Sequence, residues 1–174
     1  MTIGRLALRL AVGGLMTGHG LQKLNGSFGG PGLEGTAQMM GNLGLHPAKH
    51  QARAAALSET LGGALTAAGF LSPLGPAMIT GTMAVAIAKV HGKNGVWVTK
   101  GGYEYNLVLI AAALTVAGEG PGKLSIDGIL RKQRRGSLWA VAAGALGAGA
   151  AVATMKLAER MAPPPEADEV STAA

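Results

Sequence analysis

Five long apolar runs follow one another along the chain, separated by short polar or glycine- and proline-rich connections. The first goes from Ile3 to about Leu24. The second, "ARAAALSETLGGALTAAGFL", ends at Leu71. The third covers Leu74 to His91, the fourth Glu104 to Gly118 and the fifth Ser137 to Ala158. A helix of about 20 apolar residues matches the hydrocarbon core of a bilayer. The pattern therefore predicts an all-α, polytopic membrane four-helix bundle with a fifth C-terminal transmembrane helix. Pro47 suits the first turn of the second helix. The fourth run is short, so its helix either starts before Glu104 or spans with little tilt. The fifth is alanine and glycine, hence only weakly apolar, and is read as spanning. Further membrane-length runs follow the first, and no small-x-small site ends it, which argues against a cleavable signal. Leu33, Ala37 and Met40 stand at helical spacing and predict a short interfacial helix; "LSIDGIL" predicts a second. The resulting division is a four-helix membrane domain over 1–124, a polybasic cytoplasmic loop over 125–136, the fifth helix over 137–158 and a proline-rich, acidic, disordered tail over 159–174.

Composition agrees with a membrane setting. Charged residues make up 14% of the 174 positions and apolar ones 48%, whereas a soluble domain carries about 25% charged residues. The formal charge of +6 comes from basic residues that flank the apolar runs. Lipid headgroups and membrane orientation account for them better than nucleic acid does. With the N-terminus in the cytoplasm, Arg5, Arg9, Lys123, Arg131, Lys132, Arg134 and Arg135 fall inside. Lys49, Arg53, Lys93 and Lys100 fall on the other side. The bias places the N-terminus in the cytoplasm. The chain has no cysteine, so it forms no disulfide, Cys-ligated metal site or thiol relay of its own.

Alternation of helix direction gathers the polar residues. His19, Gln22 and Lys23 lie near the outer end of the first helix, and spacings of three and four put them on one face. Glu59 lies in the outer half of the second helix, Lys89 and His91 near the end of the third, and Glu104, Tyr105 and Asn106 at the start of the fourth. Arg5 and Arg9 aside, the strongly polar residues of these four helices share one leaflet half. An ionised group at mid-membrane costs about 2.5–3.5 kcal/mol on insertion scales, so charges gathered there are expected to pair. Glu59, the deepest acid, is expected to face the interior and pair with Lys23 or Lys89, with His19 close by. His19, Gln22, Lys23, Glu59, Lys89, His91, Glu104 and Asn106 thus make one candidate polar pocket. His46 and His50 have the i, i+4 spacing of a ligand pair but no carboxylate between them, and are not read as a metal site. "FGGPGLEG" lacks the strand and the Lys-Ser/Thr ending of a phosphate loop, and reads instead as a tight re-entry over the outer face of the pocket.

"HGLQKLNGSFGGPGLEGTAQMMGNLGL", "ETLGGALTAAGFLSPLG" and "NGVWVTKGGYEYNLVLIAAAL" together resemble the DoxX family of membrane proteins, over about Gly4 to Leu124. The resemblance implies a four-helix integral membrane fold, with the fifth helix and the tail outside the family core. The family name comes from a subunit of a thiosulfate:quinone oxidoreductase. The resemblance also implies association, in some bacteria, with an extracytoplasmic superoxide dismutase and a sulfurtransferase in an oxidant-resistance complex. Quinone is then a candidate ligand of the pocket, as is a thiol or sulfur species. The favoured reading is a membrane subunit associated with a redox or oxidative-stress complex, surrounded by lipid and by other subunits. The alternative is a non-catalytic assembly or anchor subunit whose buried charges fix helix register. A small transporter ranks third, because so few short helices leave little room for alternating access.

Overall fold

Two helices set the frame by touching almost backbone to backbone. In a computed structural model describing residues 3–163, α1 (Ile3–Asn25) lies along α3 (Ala48–Ala68). A methyl group added at Gly63 would come within 2.7 Å of Thr17 Oγ1 and 2.6 Å of the Gly13 carbonyl. One added at Gly20 would lie 2.7 Å from Thr60 Cα. Only glycine permits that approach, and small residues at helix crossings are how helices pack where lipid removes the hydrophobic drive to associate.

The chain is all-helical over the described residues. Besides α1 and α3, the helices are α2 (Gly32–Asn42), α4 (Leu74–Ala86), α5 (Glu104–Glu119), α6 (Ile126–Ile129) and α7 (Ser137–Arg160). Helix α1 packs on α3 and α5. Helix α4 packs on α3, α5 and α7. Gly69, at φ 61°, ends α3, and the Phe70 N–H reaches back to the Leu65 carbonyl at 3.0 Å; this is a glycine-terminated helix end that satisfies an orphan carbonyl. The fourth helix begins at Glu104 with no upstream extension. The predicted interfacial segment is α2, and "LSIDGIL" holds a single turn, α6. The tail from residue 164 onward lies outside the described residues.

Helix α7 packs along the body at both of its ends. Ala143 is buried with Ala77 and Ala117 near one end, and Ala158 with Met40, Leu45 and Ala52 near the other. Among the described residues it is the one helix long and apolar enough to cross a membrane by length and composition. Helices α4 and α5, at 13 and 16 residues, fall short of the roughly 20 that a span needs.

Large apolar side chains lie on the outside as well as in the core, and small ones fill the helix contacts. Gly13, Ala56, Gly62 and Ala113 are buried, while Leu10, Leu15, Leu61, Val108, Leu138 and Val141 are exposed to between 50% and 67%, or more for Leu138. Extended apolar surface of this kind marks a membrane or partner contact.

The end that carries the N-terminus is tied by polar groups. Arg9, expected as a flanking charge, is buried. Its Nε donates to the Ala67 carbonyl at 3.0 Å, one Nη to the Pro121 carbonyl and the other to the Leu124 carbonyl at 2.6 Å. The Ala67 carbonyl belongs to the last turn of α3, the negative end of the helix dipole. Buried Asp127 accepts from the Leu71 and Ser72 amides at 3.1 and 2.9 Å just ahead of α4. The sequence pattern does not reveal this clasp, because the partners of Arg9 and Asp127 are backbone groups.

Gly63→Val should lower stability by about 1–3 kcal/mol through overpacking. Gly14→Val, where nothing lies within 4 Å, should change it little. Thermal unfolding of the two purified variants in one detergent checks the difference.

Candidate functional site

The α1–α3 crossing brings Lys23 onto Glu59. Lys23 Nζ stands 2.6 Å from Glu59 Oε2; the Glu59 side chain is 5% exposed and that of Lys23 is 21%. Of the two partners open to Glu59 in the sequence, the geometry takes Lys23. Lys89 makes no ion pair among the described residues.

The pair opens onto a cavity of about 680 Å³. His19, Lys23, Glu59, Lys89, His91 and Asn106 all line it. Helix α4 contributes through a change of winding: Ile87–His91 form one π-helical turn. Such turns rotate side chains relative to an α-helix and recur at functional sites; here the turn carries Lys89, Val90 and His91 to the wall.

The remaining two candidates lie outside the wall. Gln22 Oε1 accepts from His19 Nδ1 at 3.0 Å. That bond commits Nδ1 as the donor and leaves Nε2 as the free ring nitrogen. Glu104 accepts from the Val98 amide at 3.0 Å and so organises the α4–α5 loop. His91 is tethered as well, donating through Nδ1 to the Gly101 carbonyl at 2.8 Å. Asn106, buried on α5, directs Nδ2 at Met83 Sδ, 3.4 Å away.

Several lining groups escaped the sequence reading. Met16, Met39, Met40, Met78 and Met83 face the cavity, five of the chain's eight methionines. Their unbranched thioether side chains make an adaptable apolar surface. Tyr105, which the sequence already placed in this half, lines the wall from α5, and Leu146, Ala150 and Thr154 close it from α7. Nothing in the sequence pairs α7 with the pocket, since its residues there are small and uncharged.

The wall thus presents two ammonium groups, one carboxylate, two imidazoles and the carboxamides of Gln51 and Asn106 above a mostly apolar body. It can hold a hydrogen-bond acceptor or an anion, and exchange a proton with it through His19 or Glu59. Among the described residues no group of three or more His, Asp or Glu side chains could hold a metal ion.

A family model described as DoxX matches residues 4–92. It ends at the close of the α4 π-turn, so "NGVWVTKGGYEYNLVLIAAAL" lies beyond it. No curated protein and no solved structure matches the chain.

Removing one member of a buried pair leaves an uncompensated charge and costs about 3–5 kcal/mol, whereas replacing both is far milder. Lys23→Met and Glu59→Met should each lower the unfolding temperature clearly, and the double variant less than the sum of the two. A double-mutant cycle by thermal unfolding measures the coupling.

Proposed function

The chain belongs to the DoxX family of membrane proteins, and on that footing we propose that it is a membrane subunit of a redox or oxidative-stress complex that binds a small electron-carrying or sulfur-containing ligand in the Lys23–Glu59 cavity. The observation that carries the reading is the 2.6 Å ion pair opening onto a cavity of about 680 Å³. A buried pair is weak support for stability. A volume of that order, mostly apolar with a few convergent polar groups, is typical of small-molecule sites. Quinone fits the donor set: its carbonyls would accept from Lys89 or His19, and Glu59 would exchange protons as the ligand is reduced. The chain contributes binding, orientation and proton handling, and the electrons come from a partner subunit.

In this reading α1, α3, α4 with its π-turn, and α5 form the family's membrane domain, and α7 crosses as a fifth helix. The N-terminus, Arg9 and the 131–135 cluster face the cytoplasm of a bacterial cell, and the cavity lies toward the outer leaflet. One observation favours a second reading, an assembly or anchor subunit. Val96, Trp97 and Val98, at the end of the molecule opposite the N-terminus, are 41%, 64% and 54% exposed, a projecting apolar loop suited to docking another subunit.

The two readings separate at Glu59. If the cavity binds a ligand, Lys23→Met combined with Glu59→Gln, which leaves no buried charge unpaired, should keep the protein in the membrane at near-normal abundance and abolish the cellular phenotype. If the pair serves assembly alone, abundance and phenotype should fall together. Orientation has its own check, because the native chain has no cysteine to interfere. A cysteine placed at Ser27 should react with an impermeant thiol reagent in intact cells, and one at Ser137 only after lysis. Labelling at 137 from outside reverses the topology.

A further inference from the structure

The cavity is long as well as large. Leu74, Met78, Thr82, Val85 and Lys89 line it from one stripe of α4, successive at the three- and four-residue spacing that marks one helix face. Leu74 to Lys89 is fifteen residues, or about 22 Å of helix axis. Helix α3 bounds the stripe on one side and α7 on the other.

The lining changes character along that length. Ser58 and Thr82 meet across the α3–α4 contact at 3.1 Å. The charged side chains, the imidazoles and Asn106 lie at or beyond that level, toward the α4–α5 loop. On the other side, toward Leu74, the lining is apolar: Met16, Leu74, Ala77, Met78 and Leu146. The apolar part extends from Thr82 to Leu74, about 12 Å. The wall is therefore amphipathic in one direction, with a head region and a tail region.

From this we infer that the ligand is a tailed lipophile: a compact acceptor or anionic head at Lys89 and His19, with an unbranched or prenyl chain lying along α4 toward Leu74 between α3 and α7. The inference rests on the reading of the cavity as a ligand site and chooses between the ligand classes left open there. A small sulfur oxyanion displaces only about three waters, roughly 90 Å³, a minor part of about 680 Å³, and would leave the apolar half unfilled. Helix α7, beyond the matched residues 4–92, becomes a wall that selects for the tail. It borders the tail region through Leu146.

The test uses the full-length protein in lipid nanodiscs and two probes: a benzoquinone without a side chain, and the same quinone carrying a decyl tail. Each binding constant is referred to the probe's concentration within the bilayer. Bilayer lipid is as apolar as the groove, so the tail gains packing without transfer energy. The expected preference for the tailed probe is therefore about tenfold, some 1.4 kcal/mol. Leu74→Trp and Leu146→Trp fill the apolar part of the groove from α4 and α7 at positions 44% and 59% exposed. Each should erase the preference while leaving the tailless probe bound as before. Lys89→Gln should weaken both probes alike. Equal binding of the two probes, with no effect of Leu146→Trp, overturns the tail groove and leaves the head site standing. Failure of both probes to bind overturns the ligand-site reading and this inference with it.

Discussion

The crossing of α1 and α3 is the contact on which the other features depend. Gly13, Gly20 and Gly63 let the two backbones meet, and that proximity holds Lys23 within reach of Glu59. Bulkier residues would separate the helices and leave a carboxylate and an ammonium apart in an apolar interior, each at several kcal/mol. With the helices together the pair is neutralised and becomes the polar floor of a cavity. Small residues at this interface and an ion pair beside it are thus two aspects of one arrangement.

Glycine also places α7. A methyl group at Gly81 would sit 3.0 Å from the Gly147 carbonyl, so α4 and α7 meet closely at that level. Beyond it, toward the α4–α5 loop, Ala150 and Thr154 form the α7 wall of the cavity, and Leu146 forms it on the Leu74 side. At the opposite end of the molecule Arg9 and Asp127 join α1, the α3–α4 turn and the segment after α5 through backbone carbonyls and amides. One end is therefore fixed by buried hydrogen bonds, while the other holds the π-turn, the cavity and an exposed loop. Rigid support at one end and open volume at the other suit a ligand site.

Much of this was legible in the sequence, for identifiable reasons. The five long helices follow the apolar runs to within five residues at each boundary, because run length and glycine or proline punctuation carry their boundaries. The gathering of His19, Lys23, Glu59, Lys89, His91 and Asn106 around one volume follows from alternation of helix direction. Choosing Lys23 over Lys89 as the partner of Glu59 was beyond the sequence, since it depends on which helices are adjacent. Gln22 and Glu104 were grouped with the pocket by depth alone, and depth does not specify a wall. The burial of Arg9 was hidden because its partners are carbonyl oxygens, which every residue carries. The π-turn at Ile87–His91 and the role of α7 were likewise invisible, the one being a change of winding and the other a matter of small side chains leaving space.

The central claim is that Glu59, neutralised by Lys23, marks a ligand cavity shared by α1, α3, α4, α5 and α7. The most direct measurement is an experimental structure, at side-chain resolution, of the protein isolated from its native membrane in mild detergent. The account predicts Lys23 and Glu59 in contact and elongated non-protein density along α4, its head within hydrogen-bonding distance of Lys89 or His19. Glu59 turned toward lipid, or α3, α4 and α7 packed together with the cavity closed, would contradict it.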